Sequence, residues 1–191
     1  MDMRTVLHIK NMVCQRCVMA VESTLRGVGL APEKVDLGLA QVTTPPTESQ
    51  LSDLRERLRN IGFELIEEGK EQTVERIKNV IIRQIHYANA AQQQRMKLSA
   101  ILSEELGMDY SALSKLFSEA EGRTIESYTI AQRIERVKEL LEDPTLTLKE
   151  IAFKAGYSST AHLSAQFKDH TGMPPSAYRK GRSARRNLDQ V

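Results

Sequence analysis

The chain has 191 residues, of which 40% are hydrophobic and 27% charged, with a formal net charge of +2. This composition excludes a fibrous or intrinsically disordered protein, and the length allows two small domains with separate cores. No stretch is apolar enough to span a membrane, and the first residues, MDMRTVLHIKNMVC, lack the basic and apolar regions of a secretory signal. We therefore expect a cytoplasmic protein without a membrane partner.

The first part of the chain alternates strand and helix patterns in the order βαββαβ. Polar and apolar residues alternate in the strand patterns, and Pro45 and Pro46 interrupt the third one. Thr47 and Gln50 have capping-box spacing at the start of the second helix. The predicted strands are Met3–Lys10, Lys34–Leu37, Leu39–Thr44 and Phe63–Ile66. This order predicts a ferredoxin-like domain, and with the helical second half it gives an α+β fold class.

The two cysteines of the chain, Cys14 and Cys17, lie in a Cys-x-x-Cys turn between the first strand and the first helix. At this spacing their side chains point the same way, and the helix N-terminus and Arg16 favour the thiolates. Two thiolates alone suit Cu(I), or another soft metal ion, better than Zn(II), which takes four ligands. A thioredoxin-like redox pair and two ordinary reduced thiols are the alternatives.

Residues 1–68 resemble a heavy-metal-associated domain, the small βαββαβ module of copper chaperones and metal-pumping ATPases. Met12, Cys14 and Cys17 match the Met-x-Cys-x-x-Cys loop of that family. The resemblance implies a soft ion held by Cys14 and Cys17, with Met12 in the core beneath the loop. The chain departs from the family at Asn11 and Val13, where glycine and threonine are usual.

A polar segment, residues 69–73, is predicted to form a hinge before the second domain. Thr73 is a candidate cap for the next helix, whose apolar stripe begins with Val74 and Ile77. That stripe fits the core of the second domain or, alternatively, a contact with the metal domain or a second subunit. We expect either a monomer or a homodimer. The segment Asn89–Arg95 either extends this helix or forms a loop.

Two similar helix-turn-helix patterns follow, related by a shift of 50 residues that places Leu98 on Leu148. Between them, Ile125–Glu142 has helical apolar spacing and contains no Gly or Pro. Such a helix would separate two recognition helices so that they enter successive major-groove segments, about 34 Å apart.

The second pattern carries clear boundary signals. Thr147 and Glu150 have capping-box spacing, Gly156 ends the first helix, and Ser158 or Ser159 caps the next one. The second helix has one apolar side and one side of small and polar residues, which allows close approach to a DNA groove.

Residues 74–182 resemble the DNA-binding domain of the AraC/XylS family of transcription regulators. The resemblance rests on the repeat, on IAFKAGYSS and on HLSAQFKDHTGMPPSAYRK. It implies that the second helix of each unit enters the groove. The residues that would contact DNA are Ser111, Ser114 and Lys115 in the first unit and Thr160, Ala161, His162 and Ala165 in the second.

The chain departs from this family at Ala165, where arginine is usual, and Lys115 stands where arginine is also common. Because Ala165 cannot make the bidentate guanine contact that an arginine makes, we expect Lys115 to be the main base contact. Lys168 and Arg179 are expected to contact phosphates. The basic tail, residues 183–191, is either a further phosphate contact or a solvated end.

No glycine-rich phosphate loop, nucleophile elbow or acid–base pair is present in the sequence, so we expect no enzyme. The sequence predicts a transcription regulator that binds double-stranded DNA and responds to a metal ion, with Cu(I) expected. A thiol/disulfide switch at Cys14 and Cys17 is the alternative. An alkyl-transfer DNA repair protein is less well supported, because two cysteines cannot form a four-thiolate zinc site.

Overall fold

A computed structural model describes residues 5–66, 69–88 and 96–186. The chain forms two compact units. The first contains the described residues up to Val80 together with Leu106–Ala120, and the second contains the described remainder.

The first unit begins with a small antiparallel sheet and two helices. In chain order these elements are β1 (Thr5–Lys10), α1 (Gln15–Gly27), β2 (Pro32–Asp36), β3 (Leu39–Val42), α2 (Glu48–Asn60) and β4 (Glu64–Ile66). The strands are arranged in the order β2-β3-β1-β4. β1 therefore lies between β3 and β4, with Leu7 opposite Ala40 and Ile9 opposite Leu65.

Alternation in β1 directs Leu7 and Ile9 into the core of this sheet-and-helix region. The helices contribute apolar residues at helical spacing, including Val21 and Leu25 from α1 and Leu54 and Leu58 from α2. These six side chains are at most 8% exposed. The core therefore lies between the sheet and the two helices.

The start of α2 follows the predicted capping box. Thr47 Oγ1 accepts a hydrogen bond from the Gln50 N–H at 3.3 Å, and Gln50 Oε1 accepts one from the Thr47 N–H at 3.0 Å. The prediction is confirmed because this motif depends only on residues three apart.

Helix α3 spans Lys70–Ile82 and continues into a π-helical turn over Arg83–Tyr87. It begins before the predicted cap, so residues 70–73 of the predicted hinge are helical. Thr73 is not the cap, because its hydroxyl bonds back to the Gly69 carbonyl at 3.4 Å within the first turn. The segment Asn89–Arg95 lies outside the described residues.

Helix α3 contacts the sheet and one of its turns at two points. The Lys10 ammonium at the end of β1 lies 2.6 Å from a carboxylate oxygen of Glu71. Farther along α3, the Asn79 side chain lies over Gly38, where an added Cβ would be 1.8 Å from its amide nitrogen. Helix α3 is thus anchored at the end of β1 and at the turn between β2 and β3.

The rest of the described chain is helical. It contains α4 (Leu98–Leu106), α5 (Tyr110–Glu121), α6 (Ile125–Leu141), α7 (Leu148–Lys154), α8 (Thr160–Thr171) and α9 (Pro175–Arg186). Within the second unit, α6, α7 and α8 share a core that includes Val137, Ile151, Leu163 and Phe167. Tyr178 of α9 packs edge-on against Phe167, with ring centroids 5.4 Å apart. Across the described ranges, no helix is long and apolar enough to cross a membrane.

Candidate metal site and candidate nucleic-acid interface

The loop between β1 and α1 starts with an unusual backbone conformation. Asn11 has a φ of 71°, in the left-handed region that asparagine tolerates better than most residues. Its side-chain amide also donates to the Gly62 carbonyl at 3.1 Å. Asparagine therefore suits this backbone conformation, and its side chain ties this loop to the one before β4.

Cys14 and Cys17 meet at the start of α1. Cys14 is the N-cap residue, and its carbonyl accepts the Cys17 N–H at 3.0 Å. The two sulfur atoms are 3.3 Å apart, and both residues are half-buried. Met12 is only 1% exposed and belongs to the core beneath the loop. The two sulfur atoms can therefore both contact one ion, whereas the Met12 side chain packs in the core.

The electrostatic environment of the site favours a thiolate. The pKa of the Cys14 thiol is lowered from its ordinary value, first by the backbone N–H of Cys17, then by the Cys17 side chain and by Arg16. Partial burial of the Cys14 thiol acts in the opposite direction and raises its pKa, but these lowering effects outweigh it. A thiolate is the form that binds metal ions and attacks disulfides.

The ligand set around the two cysteines is small. Among the residues that the structure describes, no group of three or more His, Cys, Asp or Glu side chains could hold a metal ion. A pair of thiolates fits a soft ion of low coordination number. The same pair can also form a disulfide, with an S–S bond of about 2.05 Å, when an oxidant such as another disulfide accepts two electrons from the thiols.

The second helix-turn-helix unit is built by local hydrogen bonds. Thr147 and Glu150 form the predicted capping box at the start of α7, and Gly156 has a φ of 73° in the turn. Ser159, rather than Ser158, is the N-cap of α8, and its hydroxyl accepts the His162 N–H at 3.1 Å. The turn therefore fixes where α8 begins.

Helix α8 has one buried side and one exposed side. Leu163 and Phe167 are fully buried. The residues proposed from the sequence to face DNA are all exposed, namely Thr160, Ala161, His162, Ala165 and Lys168. The small side chains on this surface leave the helix backbone accessible to a groove.

His162 has neighbours that the sequence patterns do not predict. Its Nδ1 lies 3.3 Å from the Ser158 hydroxyl, and its ring packs edge-on against Tyr157. Burial raises the pKa of Tyr157, so its hydroxyl remains protonated, and it donates to Gln166 Oε1 at 2.9 Å. The i, i+4 spacing of Ser158 and His162 is the sequence signal that could have indicated this contact.

Helix α5, the second helix of the first helix-turn-helix unit, also has one buried side and one exposed side. Leu113 and Phe117 are fully buried, whereas Ser111 and Lys115 are exposed and Ser114 is half-buried. Lys115 lies opposite the buried side, so its ammonium can reach a ligand at the helix surface.

Arg179 has a structural contact. Its Nη2 donates to the Leu146 carbonyl at 2.9 Å, which ties α9 to the loop before α7. Its Nε is buried without a hydrogen-bond partner among the described residues. Arg179 is therefore engaged in a contact within the fold, whereas Lys168 is exposed. The sequence patterns suggest the same role for both residues.

Residues 102–181 match a family model described as a helix-turn-helix domain. The chain is 33% identical over 79 residues to the Msm operon regulatory protein of Streptococcus mutans, covering 41% of this chain and 28% of that protein. It is 30% identical over 99 residues to the xylose operon regulatory protein of Escherichia coli, covering 52% and 25%. The chain thus spans about a quarter of the length of these curated relatives.

A solved structure is also similar, the C-terminal domain of the two-component response regulator yesN from Fusobacterium nucleatum. The identity is 30%, with a TM-score of 0.47, covering 55% of this chain and 95% of that one. Residues 102–181 therefore contain a helix-turn-helix domain, and the chain is similar over part of its length to these operon regulatory proteins.

Proposed function

We propose that this chain is a metal-responsive transcription regulator, in which Cys14 and Cys17 bind Cu(I), or another soft ion, and thereby change DNA binding. The observation that carries the proposal is the pair of sulfur atoms 3.3 Å apart at a helix N-terminus, in the same chain as a helix-turn-helix domain. The proposed site of action is the cytoplasm.

The N-terminal elements support assignment to a ferredoxin-like, heavy-metal-associated domain. Their order is βαββαβ, and the antiparallel strand order is β2-β3-β1-β4. This element order and strand order support the proposal of a split βαβ arrangement. Met12, Cys14 and Cys17 occupy the loop in which the family binds its ion. Met12 is packed in the core, so we assign only the two thiolates as ligands.

The DNA-binding role is supported by the exposed faces of α5 and α8 and by the relatives, which are named as regulatory proteins of operons. We infer that both helix-turn-helix units contact one duplex. Specific binding requires base-edge contacts in addition to phosphate contacts, and Lys115 and His162 are the exposed side chains best suited to them.

Metal binding is tested by anaerobic competition of the reduced protein with a Cu(I) chelator. We expect one ion per chain for the wild type and loss of that binding in Cys14→Ser/Cys17→Ser. Both residues are only half-buried, so serine should leave the fold intact, which circular dichroism checks. Met19→Leu is the matched control, because Met19 is a 63% exposed thioether on the same helix and should not be needed. Undiminished one-to-one binding by the double serine variant would exclude the site.

A thiol/disulfide switch is the second candidate, favoured by the short distance between the sulfur atoms. The two functions predict opposite results for the reduced and oxidised protein. Under the metal hypothesis, Cu(I) under reducing conditions changes DNA affinity, and mild oxidation without metal does not. A change that depends on oxidant and not on metal would favour the redox switch.

A further inference from the structure

The imidazole of His162 is held in place by residues from the turn before α8. Ser158 Oγ lies 3.3 Å from Nδ1, and the Tyr157 ring packs edge-on with a centroid distance of 5.3 Å and an interplanar angle of 86°. Tyr157 is only 5% exposed, and its hydroxyl is fixed by Gln166. The exposed histidine is therefore supported by a side chain that belongs to the core.

This arrangement gives the two ring nitrogens different roles. Nδ1 faces the Ser158 hydroxyl, so Nε2 is the nitrogen presented to a ligand. When the Ser158 hydroxyl donates to Nδ1, Nε2 carries the proton, and in the imidazolium Nε2 is a donor as well. An Nε2–H donor pairs with an acceptor on a base edge.

The neighbouring side chains allow that contact. Ala161 and Ala165 are exposed and short, so they do not hold α8 away from the groove floor. Purines present the acceptor N7 in the major groove, and guanine adds O6. A positioned histidine can thus supply base recognition on a helix face where its neighbours Ala161 and Ala165 offer no hydrogen-bonding side chain.

We propose that His162 is the specificity-determining side chain of the second unit, that its Nε2–H donates to N7 of a purine, and that Ser158 and Tyr157 are positioning residues. This proposal rests on the DNA-binding function proposed above.

The probe is a duplex recovered by the full-length wild-type chain from a random-sequence pool. His162→Ala should weaken binding to that duplex about 5- to 10-fold, the effect of one hydrogen bond, and should relax selection at one purine. His170→Ala is the matched control, because His170 is also exposed on α8 but lies eight residues, or about 12 Å, farther along the helix. It should leave the recovered sequence unchanged.

Replacing that purine by its 7-deaza analogue tests the acceptor directly. The analogue should weaken wild-type binding by the same factor as His162→Ala and should have no further effect on the variant. Ser158→Ala should reduce the sensitivity to the analogue and add nothing in the His162→Ala background. Ser158→Thr should keep the wild-type sensitivity to the analogue, because the hydroxyl is retained. A purely structural role for Ser158 would lower thermal stability and weaken binding to all sequences alike.

The outcomes separate this proposal from the function on which it rests. If the wild type recovers a sequence and His162→Ala recovers the same one with equal affinity, His162 is not a base contact although the DNA function stands. Equal binding of the 7-deaza duplexes would likewise exclude the N7 contact. If the wild type recovers no preferred sequence, sequence-specific DNA binding fails, and the proposal for His162 fails with it.

Discussion

Lys115 is an exposed cation on the side of α5 opposite the buried Leu113 and Phe117. A lysine there can donate to guanine O6 and N7, and loss of such a contact costs about 1 to 3 kcal/mol of discrimination. We expect Lys115→Ala to relax sequence preference at one base position. Binding to single-base variants of the recovered duplex measures this. A uniform loss across all variants, with a smaller salt dependence, would instead identify a phosphate contact.

Lys168 and Arg179 should respond differently to truncation. Lys168 is exposed on α8, so Lys168→Ala should reduce the slope of log affinity against log salt by about one unit and leave stability unchanged. Arg179→Ala should lower the free energy of unfolding by about 1 to 3 kcal/mol, because the Leu146 carbonyl loses a charge-assisted hydrogen bond. Urea unfolding and salt titrations measure both effects. An equally stable Arg179→Ala protein with a reduced salt slope would show that Arg179 is a phosphate contact after all.

At the scale of elements, the capping box of α7 gives a direct stability prediction. Thr147→Ala removes the hydroxyl that accepts the Glu150 N–H, and loss of such a cap costs about 1 kcal/mol. Thr147→Ser keeps the hydroxyl and is the matched control. A Thr147→Ala protein as stable as the wild type in urea unfolding would contradict the capping role.

The same capping box should be sensitive to pH. Hydrogen bonds from Thr147 lower the pKa of Glu150 below its ordinary value of 4.5. A carboxylate with a lowered folded-state pKa contributes stability that is complete above the unfolded pKa and is lost as the pH falls through the folded value. The stability difference between wild type and Glu150→Gln should therefore shrink below pH 4.5. A difference that stays constant on acidification would contradict this assignment.

Local signals explain which elements could be predicted from the sequence. The capping boxes at Thr47 and Thr147 involve residues three apart, and helix α6 is predicted to within one residue of its observed end at Leu141. The prediction that Thr73 caps α3 is wrong, because a threonine hydroxyl can also donate to the backbone carbonyl four residues earlier. The π-helical turn ending at Tyr87 gave no periodicity signal.

Within the candidate sites, the sequence placed the residues but not their partners. The exposed residues of α8 follow from helical spacing, since the buried Leu163 and Phe167 define the opposite side. The contact of Arg179 with Leu146 joins residues 33 apart in the chain, so no short motif could indicate it. The Asn11 side chain likewise bonds to a distant partner, the Gly62 carbonyl.

At the scale of the whole molecule, the proposed regulation requires an energetic link between the metal site and DNA binding. A metal ion shifts an equilibrium only if it binds one state of the protein more tightly than another. Lys10 precedes the cysteine loop and pairs with Glu71 of α3, and Asn79 of α3 packs over Gly38. Helix α3 is therefore the element through which we expect the loop to affect the DNA-binding region.

The affinity of the reduced, full-length chain for its recovered duplex, with and without one equivalent of Cu(I) in the absence of oxygen, tests the central claim most directly. Coupling between two sites typically changes affinity by about 5-fold or more. We predict such a change for the wild type and for Met19→Leu, and none for Cys14→Ser/Cys17→Ser. Equal affinities with and without the metal, in wild-type protein shown to hold one Cu(I), would contradict metal-responsive regulation.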